Sequence, residues 1–253
     1  EEYEKPFVLK ILQEFDTTKE LINSLQEGWL EFYNGAGSNS ESILRTRITR
    51  NIDTNQNFKD PLNKYLRFYE IKDSDREYCI INSDETITKQ ELPDYKTRFL
   101  EQENIPYHIL YKREKENYMP DSVFNSLIHF QDKKEFIQVY FKLTPSQKDF
   151  LDLEKGFVLP RSNPKQTKER ANLINEVRNL YNNLTDEQYS KIGFGFPISN
   201  FKSTFSNYFN IVSKNDLEKR IQHQPKLKSK VNPKDTSDRN EFEHIVHEIK
   251  YLL

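Results

Sequence analysis

Over its first 111 residues the chain alternates short strand-like and helix-like stretches at the spacing of β-α-β units, and this alternation is the tightest constraint on its fold. KPFVL (5 to 9) reads as a strand. ILQEFDTTKELINSLQ behind it carries Ile11, Leu12, Phe15, Leu21, Ile22 and Leu25 at helical spacing, with a new cap at Asp16 or Thr17. WLEFY (29 to 33) alternates as a strand does, and NGAGSNS after it is a Gly-Ser-Asn loop. SESILRTRITRNI returns to helical periodicity through Ile43, Leu44 and Ile48. KYLRFYEI (64 to 71) is the next strand, PDYKTRFLEQEN (93 to 104) a helix, and IPYHILY (105 to 111) a further strand. Such a sequence predicts an α/β fold, a mainly parallel sheet with helices on its faces.

From about residue 117 the pattern turns helical. PDSVFNSLIHF is followed by TPSQKDFLDLEKGF, where Thr144 can cap and Pro145 takes the first helical position. KERANLINEVRNLYNNL, TDEQYSKI and the closing DRNEFEHIVHEIKYLL complete the series. VLPRSNPKQT and QHQPKLKSKVNPKDTSD, polar and proline-bearing, read as exposed connections. The expected organisation is an α/β core over residues 1–120 and a helical C-terminal region over 121–253 packing on that core.

Only 35% of residues are apolar, so the core must rest on the 18 Phe and 14 Tyr. Cys79 is the single cysteine, which excludes an internal disulfide and a multi-cysteine zinc site and fits a reducing compartment. With no long apolar run and no signal-like start, the expectation is a cytoplasmic protein without membrane association. A net charge of -2 gives no general attraction to nucleic acid, so binding would need a local basic surface. Arg45, Arg47, Arg50 and KLKSKVNPK (226 to 234) are the candidates.

The chemistry-bearing residues gather where strands end. In IKDSDREY (71 to 78), Asp73 and Asp75 follow a strand's carboxyl end, the position at which parallel α/β sheets bind ligands. Two residues apart in extended chain, they can face one volume, and a hard cation such as magnesium would relieve their repulsion. An exposed Asp-Ser turn is the plain alternative. KREKENY (112 to 118) follows another strand and sets Glu114 and Glu116 among Lys112, Arg113 and Lys115, a mixture suited to a metal site that handles phosphate. Gly35 and Gly37 in NGAGSNS would let backbone approach a phosphate, or simply make a flexible turn.

In order, FYNGAGSNS, FYEIKDSDREY and IPYHILYKREKENYMP resemble the Toprim fold of OLD-family (overcoming lysogenization defect) nucleases and of related Toprim proteins in bacterial anti-phage systems. Asp73 and Asp75 match that family's Asp-x-Asp metal motif. Arg113, Glu116, Asn117 and Tyr118 match its later R-E-x-E-N-Y-like segment. The resemblance implies Mg2+- or Mn2+-dependent endonuclease activity on DNA or RNA, tRNA included. Asp73, Asp75 and Glu116 would be the metal ligands, with Lys112 or Arg113 offsetting charge on the scissile phosphate. It also implies an ATPase domain or subunit as partner, since the chain has no GxxxxGK[ST] sequence, and allows a homo-oligomer. The family's first strand ends in Glu-Gly, whereas Lys10 follows KPFVL here and Glu27-Gly28 precedes a strand. The acid is therefore expected on a segment missing after Leu9.

A different chemistry is open at RNEFEH, where Arg239 and His244 fit the R-N-x-x-x-H pattern of HEPN ribonucleases, metal-free enzymes acting on RNA. Phe242, Ile245, Val246, Ile249 and Leu252 on the same helix have core spacing, so a packing helix accounts for it equally. A third expectation is an inactive Toprim-like module that binds a partner ATPase.

Overall fold

The structure is a computed structural model that describes residues 5–32, 46, 68–157 and 168–253. The NGAGSNS loop, Arg45, Arg47, Arg50, the VLPRSNPKQT connection and the first residues of KYLRFYEI lie outside the described residues. In chain order the elements are α1 (Lys5–Phe15), α2 (Glu20–Gln26), β1 (Glu70–Lys72), β2 (Cys79–Ile81), β3 (Ile87–Lys89), α3 (Arg98–Gln102), β4 (Tyr107–Ile109) and α4 (Asp121–Leu127). They continue with α5 (Gln131–Tyr140), α6 (Pro145–Phe150), α7 (Lys168–Leu180), α8 (Asp186–Ile192), α9 (Phe201–Asn207), α10 (Lys214–Ile221) and α11 (Glu241–Leu252). The protein is mixed α/β, about 50% helical, with a small two-stranded parallel sheet. That sheet is β1 with β4: Glu70 N–H donates to Pro106 O at 3.1 Å and Leu110 N–H to Lys72 O at 2.9 Å, a parallel register. Among the described residues the other sheet is the antiparallel hairpin β2–β3, with Cys79 opposite Lys89 and Ile81 opposite Ile87.

The opening residues correct the strand expected at KPFVL. Residues 5 to 15 are one helix, burying Phe7, Ile11, Leu12 and Phe15, a helical stripe that a five-residue window cannot distinguish from a strand. Pro6 sits in the first turn, where its missing N–H costs nothing. Leu9 is thus mid-helix, and the segment expected after it has no break to occupy. WLEFY is corrected too, as Trp29 and Leu30 form no strand. Their N–H groups return to Ser24 O at 2.9 and 3.1 Å, and Gly28, at φ +79°, supplies the left-handed turn that ends α2. Glu27-Gly28 is a helix stop.

The chain divides into two compact units, and the division is not the one expected at residue 120. The first comprises residues 1–71, 94–108 and 226–253; the second comprises 72–93 and 109–225. In the first, Phe242 of α11 packs edge-on to Phe7 at 6.0 Å and against Phe15 at 5.2 Å. Buried Asp16 links three helices, accepting from Leu21 N–H at 2.7 Å and pairing with Lys250 at 2.5 Å. In the second, the aromatic wealth of the sequence becomes a core. Phe124 of α4 meets Tyr140, Phe196 and Phe205 at 4.2, 5.6 and 5.7 Å, and Phe136 meets Phe196 at 5.2 Å. The expected Thr144 cap forms, Gln147 N–H donating to its hydroxyl at 3.3 Å with Pro145 at the first helical position.

Candidate functional site

The second unit brings two of the singled-out segments together. Beyond Lys72, the loop Asp73-Ser74-Asp75 lies along the start of KREKENY. Ser74 Oγ donates to Lys112 O at 2.7 Å, Asp75 N–H donates to Arg113 O at 2.9 Å, and Lys115 N–H donates to Asp73 Oδ1 at 2.9 Å. Asp75 takes a left-handed backbone conformation, φ +53°, which aspartate tolerates better than most side chains. The KENY residues 115 to 118 form a 3-10 turn, with Glu114 N–H donating to Asn117 Oδ1 at 3.0 Å. Asn117 is buried and its amide donates to Lys148 O and Leu151 O at 2.9 and 2.8 Å, fixing the turn to α6.

Charge is dense here. The Lys115 ammonium lies 3.9 Å from Asp73 Oδ2 and 3.7 Å from Glu116 Oε1, between two of the carboxylates expected to ligate metal. Arg113 reaches Asp152 Oδ2 at 2.9 Å and Glu114 Oε1 at 3.7 Å. Burial, then the neighbouring Glu116 and Asp152 carboxylates, with Asp73 adding, push the Glu114 carboxyl up to about 8 against the pull of Arg113. Crowded oxygen donors of this kind suit a hard divalent cation in chemistry. In geometry, among the described residues no three His, Cys, Asp or Glu side chains converge as a metal would need, and Lys115 supplies the positive charge between Asp73 and Glu116.

Lys112 corrects an expectation. It is wholly buried and its ammonium is held by Asp149, so it does not present itself to a phosphate. Arg220 and His223 also reach Asp149, at 3.2 and 2.6 Å. Burial alone would raise this carboxyl; Lys112, His223 and Arg220 outweigh it and hold Asp149 below the ordinary carboxylate range. Asp149 and Asp152 were not singled out from sequence. Their one signal is two acids set into the otherwise apolar run DFLDL.

Arg239 and His244 do not form an exposed Arg-His pair. Arg239 Nη2 is bound by Asp235 at 2.6 Å, while His244 is 1% exposed with its ring 5.4 Å from that of His108. His108 Nε2 lies 2.8 Å from Glu241 Oε1. So enclosed, His244 is not presented at the surface beside Arg239 as the pattern would have it. Cys79 is buried, and burial, with Asp149 adding, pushes its thiol up to about 11 although Ser146 opposes, as in an unreactive thiol.

No protein-family model, curated protein or solved structure matches this chain. Among the described residues, no helix is long and apolar enough to cross a membrane.

Proposed function

We propose that the protein is a metal-dependent nuclease of Toprim type, hydrolysing phosphodiester bonds of DNA or RNA in a phage-defence setting together with an ATPase domain or subunit. The observation that carries this reading is the contact of two acidic motifs far apart in sequence: Lys115 N–H meets Asp73 Oδ1 across 42 residues, just beyond two adjacent parallel strands. On this reading Asp73, Asp75 and Glu116 are the carboxylates assigned to Mg2+ or Mn2+, although among the described residues they do not converge on one ion and Lys115 lies by two of them. Lys112, wholly buried on Asp149, is not the cation for the phosphate on this reading; Arg113, less buried though itself paired with Asp152, is the one that remains.

The test is cleavage of labelled single- and double-stranded DNA and of RNA by purified protein, with Mg2+ or Mn2+ and with EDTA. Metal-dependent cleavage lost in Asp73→Asn and Glu116→Gln is the expected result. Equal cleavage in EDTA overturns the metal mechanism, and no cleavage with metal bound leaves the inactive partner-binding module as the better reading.

A further inference from the structure

In the first unit the stretch KLKSKVNPK (226 to 234) is held to a definite path. Leu227 and Arg239 form an antiparallel bridge: the Leu227 N–H donates to Arg239 O at 2.8 Å, and the Arg239 N–H returns to Leu227 O at 2.9 Å. The buried Glu248 carboxylate of α11 then gathers the following residues, accepting from Ser229 Oγ at 2.7 Å, Lys230 N–H at 3.0 Å and Val231 N–H at 3.1 Å. Asn232 N–H donates to Ser229 Oγ at 2.9 Å. Glu248 therefore spends these hydrogen bonds on main chain and a hydroxyl, and none of them on a lysine ammonium.

Exposure alternates along this path as it does in extended chain. Lys226, Lys228 and Lys230 are exposed, while Leu227, Ser229 and Val231 between them are half-buried. The three lysines thus share one face at a spacing of about 7 Å, two residues of extended backbone, which is close to the separation of successive phosphates along a nucleic-acid strand. Lysines elsewhere have acidic partners, Lys10 with Glu14, Lys191 with Glu135 and Lys250 with Asp16 among them. Although the chain has 40 acidic residues against 38 basic ones, among the described residues none of Lys226, Lys228, Lys230 and the exposed Lys234 pairs with a carboxylate. No acid stands between Glu218 and Asp235, and Asp235 is taken by Arg239 at 2.6 Å. A row of evenly spaced, unneutralised cations suits a partner whose negative charge repeats along a line. An anionic membrane fits less well, because Leu227 and Val231 turn away from the lysine face and leave it no apolar anchor.

We propose that Lys226, Lys228 and Lys230 form a docking strip for the phosphate backbone of a nucleic-acid strand, bound without regard to base sequence. The strip rests on the nuclease reading for its substrate class, and measuring binding in EDTA, apart from metal-dependent cleavage, lets the two fail separately. The experiment is fluorescence anisotropy of labelled single-stranded DNA of mixed sequence with the whole chain, over a series of salt concentrations. The unaltered protein should bind, and its affinity should fall steeply as salt rises. Changing Lys226, Lys228 and Lys230 together to Gln should weaken binding about tenfold or more and flatten the log–log salt slope by about 2, since each phosphate contact on a single strand contributes about 0.7. A control that removes the same charge from the exposed Lys142, Lys155 and Lys202 should leave both nearly unchanged. The altered side chains are exposed, so circular dichroism and the melting temperature should match those of the unaltered protein. No binding by the unaltered protein overturns the strip, as does an equal loss in the control, which would mean general charge attraction. Binding to phosphatidylserine vesicles without binding to DNA overturns the nucleic-acid assignment.

Discussion

The Asp149 carboxylate sits inside the protein with Lys112, Arg220 and His223 upon it, and its worth lies less in attraction than in what its loss would strand. Lys112 has no exposure and faces the Tyr118 ring at 5.2 Å, so it has no route to water. Asp149→Asn preserves shape while removing the counter-charge, and should cost about 3–5 kcal/mol of stability in urea unfolding at pH 7. A loss below about 1 kcal/mol would show that the buried cations are compensated by other means. Because the folded-state carboxyl is depressed, its contribution is full above the unfolded value of 3.8 and disappears as pH falls through the lower folded value. None of this was legible in KDFLDLEK. An acid in an apolar run announces burial but not its partners, which come from residues 112, 220 and 223.

Individual elements were legible where a period had room to repeat. Helix α11 is legible from Phe242, Ile245, Val246, Ile249 and Leu252; the first four are buried and Leu252, at the helix end, is half-buried. Capped helices were readable as well, since Thr144 and Thr185 each stand three residues before a glutamine that completes a capping box. KPFVL was misread because five apolar-rich residues carry too little period, and its helical repeat becomes evident only with Ile11, Leu12 and Phe15 included.

The polar position within α11 carries its own consequence. Burial, then the nearby His108 and also Lys230, pull the His244 imidazole down to about 4 against the opposing pull of Glu248 and Glu241, and neither ring nitrogen has a hydrogen-bond partner. The unfolded chain therefore takes up a proton between about 6.5 and about 4 that the folded chain refuses, so stability falls as pH drops through that window. The loss should approach about 2 kcal/mol at the acid end, since each unit is worth about 1.4 kcal/mol. Urea unfolding from pH 7.5 to 4.5 checks it. His244→Leu should keep its pH 7 stability within about 1 kcal/mol and lose most of the acid slope. An unchanged slope would assign it to other groups.

At the scale of the whole molecule, α/β composition was legible and domain organisation was not. Each unit is assembled from separated stretches, with residues 94–108 and 226–253 joining the opening segment and 72–93 joining 109–225. A boundary drawn along the sequence where strands give way to helices cannot express that, because the chain changes unit at residues 71, 93, 108 and 225. IKDSDREY and KREKENY are each legible as following a strand's end, but their juxtaposition rests on β1 and β4 being neighbouring parallel strands, which the order of strands along the chain does not give. What sequence left open was the occupant of the site, since Lys115 is one lysine among several until its ammonium is placed between Asp73 and Glu116.

That lysine decides the most direct test of the metal assignment, a titration of the purified protein with Mn2+ followed by electron paramagnetic resonance. If Asp73 and Glu116 hold a divalent ion, Lys115 competes with it. Lys115→Gln should then bind Mn2+ about tenfold more tightly than the unaltered protein, and Asp73→Asn should bind it at least tenfold more weakly. Mn2+ affinity that is indifferent to both substitutions would contradict the metal site, and with it the nuclease built upon it.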